Sequence, residues 1–138
     1  MSAEEVTQAL LAALDEDKYD AVILNFANPD MVGHTGIMEA AIKAMVKIDD
    51  CAKRIVEKVL SLDGTVCITA DHGNIEKMVD EEGRPHTAHT TNLVPFIVAS
   101  KEEHSLHAGK LCDIAPTLLQ LLAMPKPAAM TGNSLLDK

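Results

Sequence analysis

Three short runs of this chain are apolar on both faces, and long polar-and-apolar stripes separate them. The runs are residues 19–26, 65–70 and 94–99. Apolar on both faces is what a strand buried inside a parallel sheet requires. Between the first and second runs, Ile37, Ala41, Met45, Ile48, Ala52, Ile55 and Val59 recur every three or four residues, the stripe of a long helix. Thr35 stands where an N-cap belongs, Glu39 in the first turn, and Gly64 beyond the far end. Val6, Leu10, Leu11 and Leu14 mark a shorter amphipathic helix over 3–15, and 113–122 reads as a third, with Pro116 in its first turn. The tail from Pro125 reads as irregular. Strands alternating with helices predict an α/β fold with a mainly parallel sheet, in one domain over 1–138. Three strands make a thin sheet, so further strands are expected to complete it.

Composition narrows the partners. Aromatic residues are 2% of the chain and the net charge is −9, so neither base stacking nor phosphate-backbone binding is favoured and no nucleic-acid partner is expected. Cys51, Cys67 and Cys112 form no Cys-x-x-Cys pair; they read as reduced, buried thiols of a cytoplasmic protein. No apolar stretch approaches the roughly 18 residues a membrane helix needs, and no signal sequence is evident.

The chemistry gathers where the predicted strands meet their loops, which is where open α/β sheets place their sites. After the first run come Asp30 and His34, directly after the second come Asp71, His72 and Gly73, and before the third come His86 and His89. Singly, each has a bland reading: Asp-x-x-x-His as a surface hydrogen bond, Asp-His-Gly as a turn, His-x-x-His as a solvated loop. Together they predict a metal site. Imidazole and carboxylate without thiolate suit Mn²⁺, Zn²⁺, Fe²⁺ or Co²⁺ better than Ca²⁺ or Mg²⁺. Two such ions about 4 Å apart would clamp a phosphoryl group.

Three segments carry a resemblance. Residues 25–36 (Asn-Phe-Ala-Asn-Pro-Asp-Met-Val-Gly-His-Thr-Gly), 69–74 (Thr-Ala-Asp-His-Gly-Asn) and 86–92 (His-Thr-Ala-His-Thr-Thr-Asn) resemble signature segments of the 2,3-bisphosphoglycerate-independent phosphoglycerate mutases, of the alkaline phosphatase superfamily. The similarity continues through 94–97, 113–119 and 130–132, over most of the chain. It implies part of an alkaline-phosphatase-like three-layer sandwich, corresponding to the C-terminal portion of the metal-binding domain. It further implies that Asp30, His34 and His89 hold one divalent ion and that Asp71 and His72 belong to a second, with Mn²⁺ foremost and Zn²⁺ or Co²⁺ as alternatives. The implied activity is interconversion of 3- and 2-phosphoglycerate through a phosphoserine, without added bisphosphoglycerate, in glycolysis and gluconeogenesis.

Parts of the family pattern find no match. The strand ending in the second ion's further aspartate, the nucleophilic serine segment and the transferase domain are not matched, and Ser2, Ser61, Ser100, Ser105 and Ser134 stand in other contexts. The chain alone is therefore expected to be inactive, and self-association through apolar surface is expected. Another phosphoryl-transfer enzyme of the same superfamily, or a non-catalytic metal-binding module, are the alternatives. His86 is expected to hydrogen-bond a ligand, Asn74 and Glu76 are candidates for orienting neighbours, and His104 and His107 read as surface residues.

Overall fold

A computed structural model describes residues 2–137. Helix α1 spans Ala3–Asp15, and its N-cap Ser2 hydroxyl accepts from the Glu5 amide at 3.3 Å. Helix α2 is a short turn of helix at Asn28–Gly33, and α3 runs Met38–Ser61. Strand β1 is Val66–Thr69 and β2 is Phe96–Ala99. A 3₁₀ turn at Leu111–Asp113 leads into α4, Ile114–Leu121.

The long stripe does form a helix. Both α1 and α2 pack against it. On the helices, burial falls on Ala3, Thr7 and Leu10 of α1 and on Ala41, Cys51 and Ile55 of α3. Thr7, fully buried, remains satisfied because its hydroxyl donates to the Ala3 carbonyl at 2.7 Å. Thr35 is not the cap of α3. Its hydroxyl donates back to Val32 O and accepts from Ile37 N, tying down the turn between α2 and α3 instead. At the far end the left-handed residue is Asp63, with φ 59°, and Gly64 then donates to Val59 O at 2.9 Å.

The sheet differs from expectation. Strands β1 and β2 pair antiparallel, Val66 opposite Ala99 and Thr69 opposite Phe96, so the mainly parallel sheet is not what these residues build. Residues 19–26 form no strand either, and Ile23 in their middle is 93% exposed. A strand needs a hydrogen-bonded neighbour, and among the described residues none pairs with this run. The α/β class itself holds.

Antiparallel pairing has a consequence for the site. The end of β1 and the start of β2 lie side by side, with the Thr69 hydroxyl donating to Pro95 O at 2.9 Å. The excursion between them is pinned by bridges at Gly73–Thr90 and Val79–Pro85. Residues leaving β1 and residues approaching β2 are thereby held at one edge. The tail stays irregular, as expected, but is anchored: the Asp113 carboxylate accepts from Lys110 N and Asn133 N, each at 2.8 Å.

Candidate metal centre

Asp30 sits in the first turn of α2, where Pro29 has already fixed a helical φ. His34 caps that helix one turn later, so the two side chains share a face. Asp30 Oδ1 lies 3.3 Å from His34 Nε2, 3.1 Å from His89 Nε2 and 3.9 Å from His72 Nε2. Three imidazoles from three different segments therefore converge on one carboxylate oxygen. His34 Nε2 and His89 Nε2 are 3.1 Å apart, and the His72 and His89 rings stack with centroids 3.8 Å apart.

The ring of His34 is oriented from outside the cluster. Its Nδ1 lies 2.7 Å from the Thr87 carbonyl, which can only accept, so Nδ1 carries the proton. In the neutral ring Nε2 then presents its lone pair to the centre, the tautomer a metal ligand needs. Asp30 is in turn held by Asn74, whose Nδ2 donates to Oδ1 at 2.7 Å. That hydrogen bond is the first reason the Asp30 carboxyl is held below its ordinary value; burial opposes it, and the charge of His34, His89 and His72 assists.

The donor set fits a divalent cation. Ligand atoms of Asp30, His72 and His89 all lie within 4.8 Å of one another. Each ion pair recorded for Asp30 is with a histidine, and those rings are charged only when protonated. Lone pairs of this kind, gathered without a fixed positive charge, are compensated either by protons or by a metal ion.

Of the residues expected from sequence, Asp30, His34, His72 and His89 are brought together. Asp71 stands at the rim, its carboxylate 3.7 Å from His72 Nε2 and its side chain 89% exposed. His86 makes its contacts elsewhere. Its Nδ1 bonds the Lys77 carbonyl at 3.1 Å and its amide donates to Met78 O, so it braces the excursion rather than a ligand. Asn74 and Glu76 were legible as candidates for orienting neighbours, but not which neighbours. Nothing in the sequence marks Asn74 as the partner of Asp30, because 44 positions separate them.

A sequence profile described as the Metalloenzyme superfamily matches residues 1–126. Over 138 residues the chain is 64% identical to the 2,3-bisphosphoglycerate-independent phosphoglycerate mutase of Clostridium botulinum, covering 99% of this chain and 27% of that protein. The mutase of the same description from Aster yellows witches'-broom phytoplasma is 57% identical over all of this chain and 27% of its own length. Among solved structures, Leishmania mexicana phosphoglycerate mutase, crystallised at low cobalt concentration, superposes with a TM-score of 0.88 at 29% identity, covering 99% of this chain and 28% of that one. The chain thus spans about a quarter of the length of the mutases it matches. Among the described residues no helix is long and apolar enough to cross a membrane.

Proposed function

The chain belongs to the Metalloenzyme superfamily, and from that premise we propose that it supplies metal-binding residues of a 2,3-bisphosphoglycerate-independent phosphoglycerate mutase. In this reading Asp30, His34 and His89 hold one divalent ion, and Asp71 and His72 contribute to a second. The observation that carries it is the convergence of three imidazole Nε2 atoms on one oxygen of Asp30. The likeness to mutases over nearly the whole chain supplies the substrate, a phosphoglycerate. Mn²⁺ is the ion we propose, and the cytoplasm the compartment.

The ion pairs of the chain favour a metal over arginine for the phosphoryl group. A phosphate ester repels nucleophiles until its charge is neutralised, and bound divalent ions supply that neutralisation. Both arginines of the chain are engaged elsewhere, Arg54 with Glu4 and Arg84 with Asp80 and Glu82. What the chain contributes is orientation: the Thr87 carbonyl sets the His34 ring and Asn74 sets the Asp30 carboxylate. The serine that receives the phosphoryl group is not matched here, so turnover is expected only together with polypeptide carrying it. Tyr19, Val22, Ile23 and Leu24 are exposed, and self-association is expected through them.

Calorimetry with Mn²⁺ tests the reading. Wild-type chain is expected to bind at least one ion, and an Asp30→Ala/His34→Ala double variant none. A folded chain that binds neither Mn²⁺, Zn²⁺ nor Co²⁺ would sink it. The mutase part is checked by mixing the chain with the separately produced remainder of the Clostridium botulinum relative. Interconversion of 3- and 2-phosphoglycerate should be restored by the wild type and not by the double variant.

A further inference from the structure

Asn74 is 4% exposed, and its Oδ1 is buried with no hydrogen-bond partner. The amide cannot be turned over to satisfy that atom. Its Nδ2 faces Asp30 Oδ1 at 2.7 Å and the Asp30 carbonyl at 3.3 Å, both of which only accept. A buried, unpaired amide oxygen is destabilising. An apolar side chain would carry no such orphan, so what the Asn74 amide provides in exchange is its grip on Asp30. Gly33 makes the grip possible: a Cβ there would run into the Asn74 amide.

Asn74 is itself held. Glu76 Oε2 accepts from the Asn74 backbone amide at 2.5 Å, while Oε1 accepts from the Thr90 hydroxyl and from Asn92 Nδ2 at 2.9 Å. Thr90 N also donates to Gly73 O at 2.8 Å. Gly73 is where that approach demands a glycine, since a Cβ would strike both the Thr90 hydroxyl and the Glu76 carboxylate. One carboxylate therefore ties the loop that bears His72 to the segment that bears His89, and braces the residue that grips Asp30.

We infer that Asn74 and Glu76 form a positioning relay for the metal centre. Asn74 sets the Asp30 carboxylate, and Glu76 sets both Asn74 and the spacing between His72 and His89. The inference rests on the metal-centre reading above. A relay of this kind, acting on ligands without touching the ion, is worth roughly 10–100-fold in metal affinity.

The test measures Mn²⁺ affinity by calorimetry and the visible absorption of the Co²⁺-loaded chain, beside urea unfolding of the metal-free chain. The variants are Asn74→Leu, which keeps the branching of the side chain without its polar atoms, and Glu76→Gln, close in volume to the native residue. Asn74→Leu removes the orphaned oxygen, which favours the metal-free fold, and also the donor to Asp30, which opposes it. A folded variant with a urea midpoint close to wild type is therefore expected. It should weaken Mn²⁺ binding roughly 10–100-fold and shift the Co²⁺ bands. Glu76→Gln should weaken binding in the same sense, and it decides the matter alone if Asn74→Leu does not fold. Wild-type affinity and an unshifted Co²⁺ spectrum in the folded variants would overturn the relay and leave the metal centre standing. Absence of binding by the folded wild type would overturn both.

Discussion

Among the described residues, two places gather three ligand-type side chains within 4.8 Å: Asp30, His72 and His89 in one, Glu4, Asp50 and Cys51 in the other. They are chemically opposite. Glu4 accepts from Lys47 at 2.5 Å and from Arg54 at 2.8 Å, so its compensating charge is built into the protein. Lys47 first, then Arg54 and Gln8, bring the Glu4 carboxyl from its ordinary 4.5 down to about 2. Cys51 is fully buried, and the group works as a clasp between α1 and α3. Asp30 faces three imidazoles and the neutral Asn74 amide, so its balancing charge must come from protons on the rings or from an ion. A count of nearby donors does not distinguish the two; the source of the balancing charge does.

The comparison can be broken most sharply at His89, whose Nε2 faces both Asp30 and His34 and whose ring stacks on His72. His89→Ala should abolish Mn²⁺ binding measured by calorimetry, whereas Glu4→Ala should leave it unchanged. Binding lost equally in both would mean the distinction is wrong. Next in size, saturating Mn²⁺ should stabilise the wild-type chain. At one hundred times Kd the linkage amounts to about 2.7 kcal/mol, on the order of 10 °C in Tm for a chain of this length. Calorimetric melts with and without Mn²⁺ read it, and the gain should vanish in His89→Ala.

A smaller effect belongs to the clasp. Because the folded Glu4 carboxyl titrates at about 2 against an ordinary 4.5, the protonated form is disfavoured by folding. Its contribution is present above pH 4.5 and is lost as pH falls from there through about 2. Urea midpoints at pH 7 and pH 3 should therefore differ less in Glu4→Gln than in wild type. Equal losses in both would remove Glu4 from the account. The smallest expected effect is at His86. With its ring on the Lys77 carbonyl, His86→Ala should leave Mn²⁺ affinity within about twofold, and a larger change would put it back beside the ligands.

The contrast between His86 and His89 shows how far the sequence could be read. Both lie in one His-x-x-His loop, and nothing in the spacing separates them. The bridges at Gly73–Thr90 and Val79–Pro85 do so, by turning one towards Asp30 and pinning the other against residues 77 and 78. His34 was legible only in company: its spacing from Asp30 alone reads as a surface hydrogen bond, and the Asp-His-Gly and His-x-x-His clusters together with the family resemblance made it a candidate ligand. Asn74 could be read as orienting a neighbour but not as gripping Asp30, since that contact is made across the fold.

The sequence by itself determined α1 and α3, the sites of β1 and β2, and the imidazole and carboxylate character of the candidate centre. Periodicity and residue chemistry record burial and ligand type directly along the chain. Only the tertiary structure decided that β1 and β2 run antiparallel, that residues 19–26 stay unpaired, and that His72 joins Asp30, His34 and His89 in one cluster. An apolar run looks the same whether its neighbour runs parallel, antiparallel or is missing. Pairing depends on which backbone donors and acceptors meet across the fold.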